Sequence, residues 1–176
     1  MKTKLILAAA VSLLASCQEK SAPAAEQKTP AAPSAELSKV FATVPTGEAK
    51  AIHLVRTTVQ PGDEITLTGR IMGKSKPFVE GRAAFVLGDA EVLTPCSEKP
   101  GDNCETPWDT CCNSAEEKKA GIATIQITGA DGKVLAEGVE GVGGLANLAT
   151  VTVSGEVAPG SSADALIVNA TALQVK

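Results

Sequence analysis

Glu64-Ile65-Thr66-Leu67-Thr68-Gly69-Arg70-Ile71 alternates apolar and polar side chains, the period of a β-strand with one face on a core and the other towards solvent. The turn Gln60-Pro61-Gly62-Asp63 leads into it, and Gly73-Lys74-Ser75-Lys76-Pro77 leads out, so a first strand is expected over about 64–72. The same signal recurs over 150–157, where Val151 and Val153 alternate with Thr152 and Ser154. Residues 82–87, 121–128 and 166–175 are also rich in valine, isoleucine, threonine or other apolar strand formers. Ala130-Asp131-Gly132-Lys133 contains the Asp-Gly of a tight hairpin, with 134–138 as its returning arm.

Helical signals are short. Leu37, Val40, Phe41 and Val44 have the spacing of one amphipathic face, and Pro45 ends it. Over 48–59, Ile52, Val55 and Val59 fit a helical stripe while Thr57-Thr58-Val59 fits a strand; a helix is the favoured reading. The glycines of 141–148 predict a turn and a single helical turn. Five strands, a short helical link before the fourth, and glycines at the bends describe a mainly β fold: a small five-stranded Greek-key barrel. It resembles the OB-fold, most closely in 64–71 and 151–157, with a cysteine-rich loop between strands two and three. An open β-sandwich is the alternative.

The chain ahead of this domain reads as an address. Met1-Lys2-Thr3-Lys4 is followed by an apolar run too short to span a bilayer, then by small residues. Leu14-Ala15-Ser16-Cys17 resembles the bacterial lipobox, which implies removal of residues 1–16 and lipidation of Cys17. Acyl chains anchor a protein through about 0.8 kcal/mol for each buried CH₂. In that family an aspartate after the cysteine favours the inner membrane; Gln18 here favours the outer one in a two-membrane cell. Residues 17–36, rich in Ala, Pro, Glu, Lys and Ser, bury too little apolar surface to offset their ordering entropy and read as a disordered tether. Residues 37–176 form the domain. The expected placement is the cell envelope, facing the periplasm or exterior, with the membrane as a partner through the lipid and an envelope protein or small ligand as a further one.

Composition narrows the function. Without Lys2 and Lys4 the mature chain has 14 basic against 20 acidic residues, a poor surface for phosphates. Its rings are three phenylalanines and one tryptophan, too few for a base-stacking platform, so nucleic acid is an unlikely partner. His53 is the single histidine and has no serine-elbow sequence to serve; it reads as a partly exposed surface residue, and no catalytic residue is assigned.

The candidate site is Cys96-Ser97-Glu98-Lys99-Pro100-Gly101-Asp102-Asn103-Cys104-Glu105-Thr106-Pro107-Trp108-Asp109-Thr110-Cys111-Cys112. Once Cys17 is given to lipid, Cys96, Cys104, Cys111 and Cys112 are an even set in an oxidising compartment, and two disulfides are expected. Three connectivities are open, and a ring joining the adjacent Cys111 and Cys112 is disfavoured by strain. The alternative is a metal or redox centre on the same four cysteines. Four thiolates suit zinc, copper(I) or an iron–sulfur cluster, although neighbouring cysteines point awkwardly for one tetrahedral ion and no C-x₂-C knuckle is present. The carboxylates of Glu98, Asp102, Glu105 and Asp109 do not follow calcium-loop spacing. Trp108, Asp109 and Asp102 are the candidate contacts for a partner or ligand.

Pro61-Gly62-Asp63, Pro77-Phe78-Val79-Glu80-Gly81-Arg82-Ala83, Pro107-Trp108-Asp109-Thr110-Cys111-Cys112 and Val168-Asn169-Ala170-Thr171 are similar to a group of uncharacterised exported OB-fold proteins of the planctomycete and verrucomicrobial kind. The resemblance implies the fold and export and carries no activity.

Overall fold

The computed structural model describes residues 32–176, which form one compact unit. The expected signal peptide, Cys17 and most of the tether lie outside the described residues. Five strands, β1 (Glu64–Arg70), β2 (Ala84–Gly88), β3 (Ile122–Gln126), β4 (Thr150–Val157) and β5 (Leu166–Val175), close into a barrel in the order β1-β2-β3-β5-β4. β3 and β5 run parallel, and the other neighbours are antiparallel. This is the five-stranded, OB-fold-like barrel, and its closure disposes of the open sandwich.

The alternation that predicted β1 and β4 also sets their register. Leu67 lies opposite Val153 and Gly69 opposite Val151, so the apolar members of both strands enter the barrel together. Leu67, Phe85, Ile125, Val151, Val153, Val168 and Leu173 fill the core. Between Ser154 and Gly155 the pairing with β5 is irregular. A Cβ at Gly155 would sit 2.2 Å from the carbonyl oxygen of Asn169, so β5 can approach there only because residue 155 has no side chain.

Residues 43–50 cover the polar face of β1 and β4. The Thr46 amide donates to Ser154 Oγ at 3.0 Å, the Lys50 amide donates to the Thr66 carbonyl at 2.9 Å, and Lys50 in turn accepts from the Thr68 amide at 3.0 Å. Ser154 is buried beneath it, its hydroxyl also donating to the Thr46 carbonyl at 3.1 Å. This strap is preceded by α1 (Ala35–Ala42), which Ser34 caps by accepting from the Leu37 amide and which buries Leu37 and Val40. The helix expected from Leu37 to Val44 stops short of Val44, which is exposed.

Three expectations are corrected. The helix favoured over 48–59 is one turn, α2 (Ile52–Val55), because Lys50 just ahead of it joins β1 as an isolated parallel bridge. The hairpin arm over 134–138 is a single bridge, Thr128 with Val134; Ala83, next to β2, donates to the Leu135 carbonyl and accepts from the Ile127 amide, so β2's edge competes for the same groups. The strand expected from 121 begins at Ile122, after the unpredicted helix α3 (Ala115–Gly121). α3 has no apolar stripe to reveal it and is held by a capping box between Ser114 and Glu117.

Where β1 would turn directly into β2, the strands share only one register pair, Arg70 with Gly88. Residues 77–79 complete the wall: the Pro77 carbonyl accepts from the Val86 amide at 2.8 Å and the Val79 amide donates to the Ala84 carbonyl at 2.9 Å. Gly143, at φ 57°, lies in the turn before β4. There the Phe41 ring approaches to 2.5 Å of the position a Cβ would take.

Candidate functional site

The chain leaves β2 at Asp89, which is 2% exposed. Its carboxylate accepts from the backbone amides of His53 and Glu91, each at 2.9 Å, and lies 2.7 Å from His53 Nδ1. A buried carboxylate is tolerated when its lone pairs are used, and here they tie α2 to the root of the cysteine loop. His53 is therefore anchored by a partner that its sequence surroundings do not reveal.

Beyond Leu93 the loop folds back on itself. The Cys96 amide donates to the Asp109 carbonyl at 2.8 Å, and the Ser97 amide to the Pro107 carbonyl at 2.9 Å, so the two arms lie side by side. Cys96 begins a 3-10 turn to Glu98, and the Glu98 carboxylate pairs with Arg70 of β1 at 2.5 Å. The returning arm docks on the segment just after β1. Gly73 donates its amide to the Trp108 carbonyl at 3.1 Å, Trp108 Nε1 donates to the Ser75 carbonyl at 2.9 Å, and the buried Thr110 hydroxyl donates to the Gly73 carbonyl at 3.2 Å.

This docking gathers all four cysteines. Cys96 Sγ lies 3.3 Å from Cys111 Sγ, and Cys111 Sγ lies 3.6 Å from Cys112 Sγ. The sulfurs of Cys96, Cys104 and Cys111 are mutually within 4.8 Å, as are Cys96 Sγ, Cys112 Sγ and a carboxylate oxygen of Asp102. The adjacent cysteines therefore turn to the same side, against the awkward orientation expected from their adjacency. Neither pair is at disulfide bonding distance in this arrangement. Cys96 is buried, Cys104 half-buried, and Cys111 and Cys112 exposed.

Their acidities differ for local reasons. Burial, reinforced by the hydrogen bond with Cys111, pushes the Cys96 thiol up. The Thr106 hydroxyl, 3.3 Å from Cys104 Sγ, lowers the Cys104 thiol. A hydrogen bond with Cys111 raises Cys112. Cys104 is thus the thiol favoured to ionise first of these three.

Beside the cluster a groove of about 440 Å³ opens between the Trp108 ring, Pro77-Phe78-Val79 and Val139, with Lys76, Glu80 and Glu140 among its polar groups. Of the three contact residues expected from the sequence, Trp108 lines this groove. Asp109 Oδ1 accepts from the Thr110 amide at 2.6 Å. Asp102 Oδ1 accepts from the Cys104 amide at 2.8 Å, and its Oδ2 lies 3.7 Å from Cys112 Sγ. These carboxylates shape the loop and the thiol cluster. The sequence reading missed Phe78, Val79 and Val139 as groove residues; only the run Pro77-Phe78-Val79, an apolar pair fixed by proline, was a visible signal.

Among the described residues, no helix is long and apolar enough to cross a membrane. The chain matches no protein-family model, and comparison with curated proteins and with solved structures finds no match.

Proposed function

We propose that this chain is a lipid-anchored binding or structural module of the cell envelope, whose cysteine loop is cross-linked by disulfides and presents Trp108 at a ligand groove. The observation that carries the reading is the position of Trp108: its ring lines the groove, while its backbone lies between the Cys96–Ser97 arm of the loop and the Gly73 segment that follows β1. The lipobox-like Leu14-Ala15-Ser16-Cys17 supports the anchor and the export route. The 3.3 Å separation of Cys96 and Cys111 favours that pair, which leaves Cys104 to Cys112. In the chain-entropy account, closing a loop of about 15 residues contributes roughly 3 kcal/mol. That is enough to order an insert whose other ties to the barrel are a handful of hydrogen bonds.

Intact mass of the full, non-reduced chain after thiol labelling tests the cross-links. Two pairs of missing hydrogens and no label on Cys96, Cys104, Cys111 or Cys112 are expected, and four labelled loop cysteines refute the staple. Cleavage after glutamate then separates Cys96, Cys104 and the Cys111-Cys112 pair, because Glu98 and Glu105 lie between them. A 106–116 peptide recovered unlinked would exclude the proposed pairing. For the anchor, Cys17→Ser should move the protein from the membrane fraction to the soluble one.

A further inference from the structure

The thiol cluster has a second capability that disulfide formation does not use. A tetrahedral ion with metal–sulfur bonds of about 2.3 Å sets its sulfurs about 3.8 Å apart. The observed separations of 3.3 Å for Cys96–Cys111 and 3.6 Å for Cys111–Cys112 lie within a few tenths of that edge. Cys104 Sγ is within 4.8 Å of both Cys96 and Cys111. Two disulfides, by contrast, require each pair to close to about 2.0 Å. A fifth donor stands on the same side: an Asp102 oxygen falls within 4.8 Å of both Cys96 Sγ and Cys112 Sγ.

We propose that the loop in its thiol form binds one zinc-type d¹⁰ cation through Cys96, Cys104 and Cys111, with Cys112 and the Asp102 carboxylate facing the fourth position.

The surroundings suit such a site. Cys96, buried at the base of the loop, is held by the hydrogen bond that its amide donates to the Asp109 carbonyl. The exposed Cys111 and Cys112 leave an entry path from solvent. Binding releases one proton from each coordinating thiol, forms metal–sulfur bonds and moves no electrons. Three or four thiolates around a dication leave net negative charge. Lys118, whose Nζ donates to the Cys111 carbonyl at 3.1 Å, offsets part of it. Asp102 supplies an oxygen that zinc accepts and copper(I) does not favour. The same atoms therefore serve either as a staple or as a metal site according to their oxidation state. An ion bound before oxidation would keep them as thiolates.

The test uses the full chain carrying Cys17→Ser, so that only the loop thiols respond. After thiol counting, it is reduced with a phosphine under argon, freed of reductant, and titrated with cobalt(II) and then zinc(II). Expected are one cobalt per chain, visible bands of tetrahedral cobalt with thiolate charge transfer, and displacement by one equivalent of zinc. Cys96→Ser, Cys104→Ser and Cys111→Ser should each lose those bands at the same cobalt concentration. Asp102→Asn, whose carboxylate also bonds to the Cys104 amide, should weaken binding by about 10–100-fold. Circular dichroism of each variant, and alkylated wild-type chain with an intact barrel spectrum, separate lost ligands from lost fold. A reduced chain that leaves cobalt octahedral, or a Cys104→Ser variant that binds like the parent, overturns the proposal. Four free thiols before reduction refute the disulfide reading alone, whereas failed cobalt uptake after reduction refutes the metal site alone.

Discussion

Trp108, on the loop between β2 and β3, donates its indole N–H to the carbonyl of Ser75, 2.9 Å away on the segment that follows β1. One side chain thus joins two excursions from the barrel and forms a wall of the groove between them. Trp108→Phe keeps most of the apolar contact and removes the hydrogen bond, so a loss of about 1 kcal/mol is expected. Trp108→Ala removes both, for a loss of about 2–3 kcal/mol. Urea unfolding followed by circular dichroism measures each, and an alanine variant as stable as the parent would show that the loop is not docked through this ring.

Asp89 is the second joint. Removing its carboxylate leaves two backbone amides and the His53 ring without their acceptor at a buried position. Asp89→Ala is expected to cost about 3 kcal/mol. His53→Ala, which leaves both backbone amides bonded to Asp89, should cost less. Denaturant midpoints of the two variants give the order, and the reverse order contradicts the anchoring role.

Two glycines provide an internal contrast. Gly155→Ala drives a methyl group into the Asn169 carbonyl of β5, whereas a Cβ at Gly138 meets nothing within 4 Å. Gly155→Ala should lose about 3 kcal/mol or more, and Gly138→Ala should stay within about 0.5 kcal/mol of the parent. Equal melting temperatures for the pair would mean that the β4–β5 irregularity is misplaced.

One half of the α3 capping box depends on a carboxylate and so on pH. The Glu117 carboxylate accepts from the Ser114 amide at 2.7 Å and from Asn113 at 3.3 Å, which lowers its pKa below the ordinary glutamate value. A depressed carboxyl contributes above the unfolded pKa and loses its contribution as pH falls through the folded one. Ser114 amide protection should therefore persist at neutral pH and decline in acid below the usual glutamate range. Glu117→Gln should flatten that decline, and an unchanged acid profile in this variant would place the sensitive group elsewhere.

Much of the barrel was legible because its signal is local. Ile65 and Leu67, or Val151 and Val153, show by alternation alone which face is apolar, and a closed core then admits few arrangements. The short helices were less legible. α3 buries only its terminal Gly121 and so leaves no hydrophobic period, although Ser114 and Glu117 stood at capping-box spacing. The arm over 134–138 has the right turn, but pairing there depends on which edge Ala83 occupies.

Within the candidate site, residue identity and tertiary placement divide in the same way. That four cysteines, one tryptophan and several carboxylates share a single loop between the second and third strands follows from the order of residues alone, since chain proximity needs no fold. The folded arrangement, and nothing along the chain, turns the adjacent cysteines to one side, brings Asp102 to them while Asp109 accepts from the Thr110 amide, and sets Phe78 and Val139 across a groove from Trp108. Those outcomes depend on hydrogen bonds from the loop to Gly73, Ser75 and Arg70. Such bonds join residues roughly 30 positions apart, a separation at which no periodicity along the chain records who will meet.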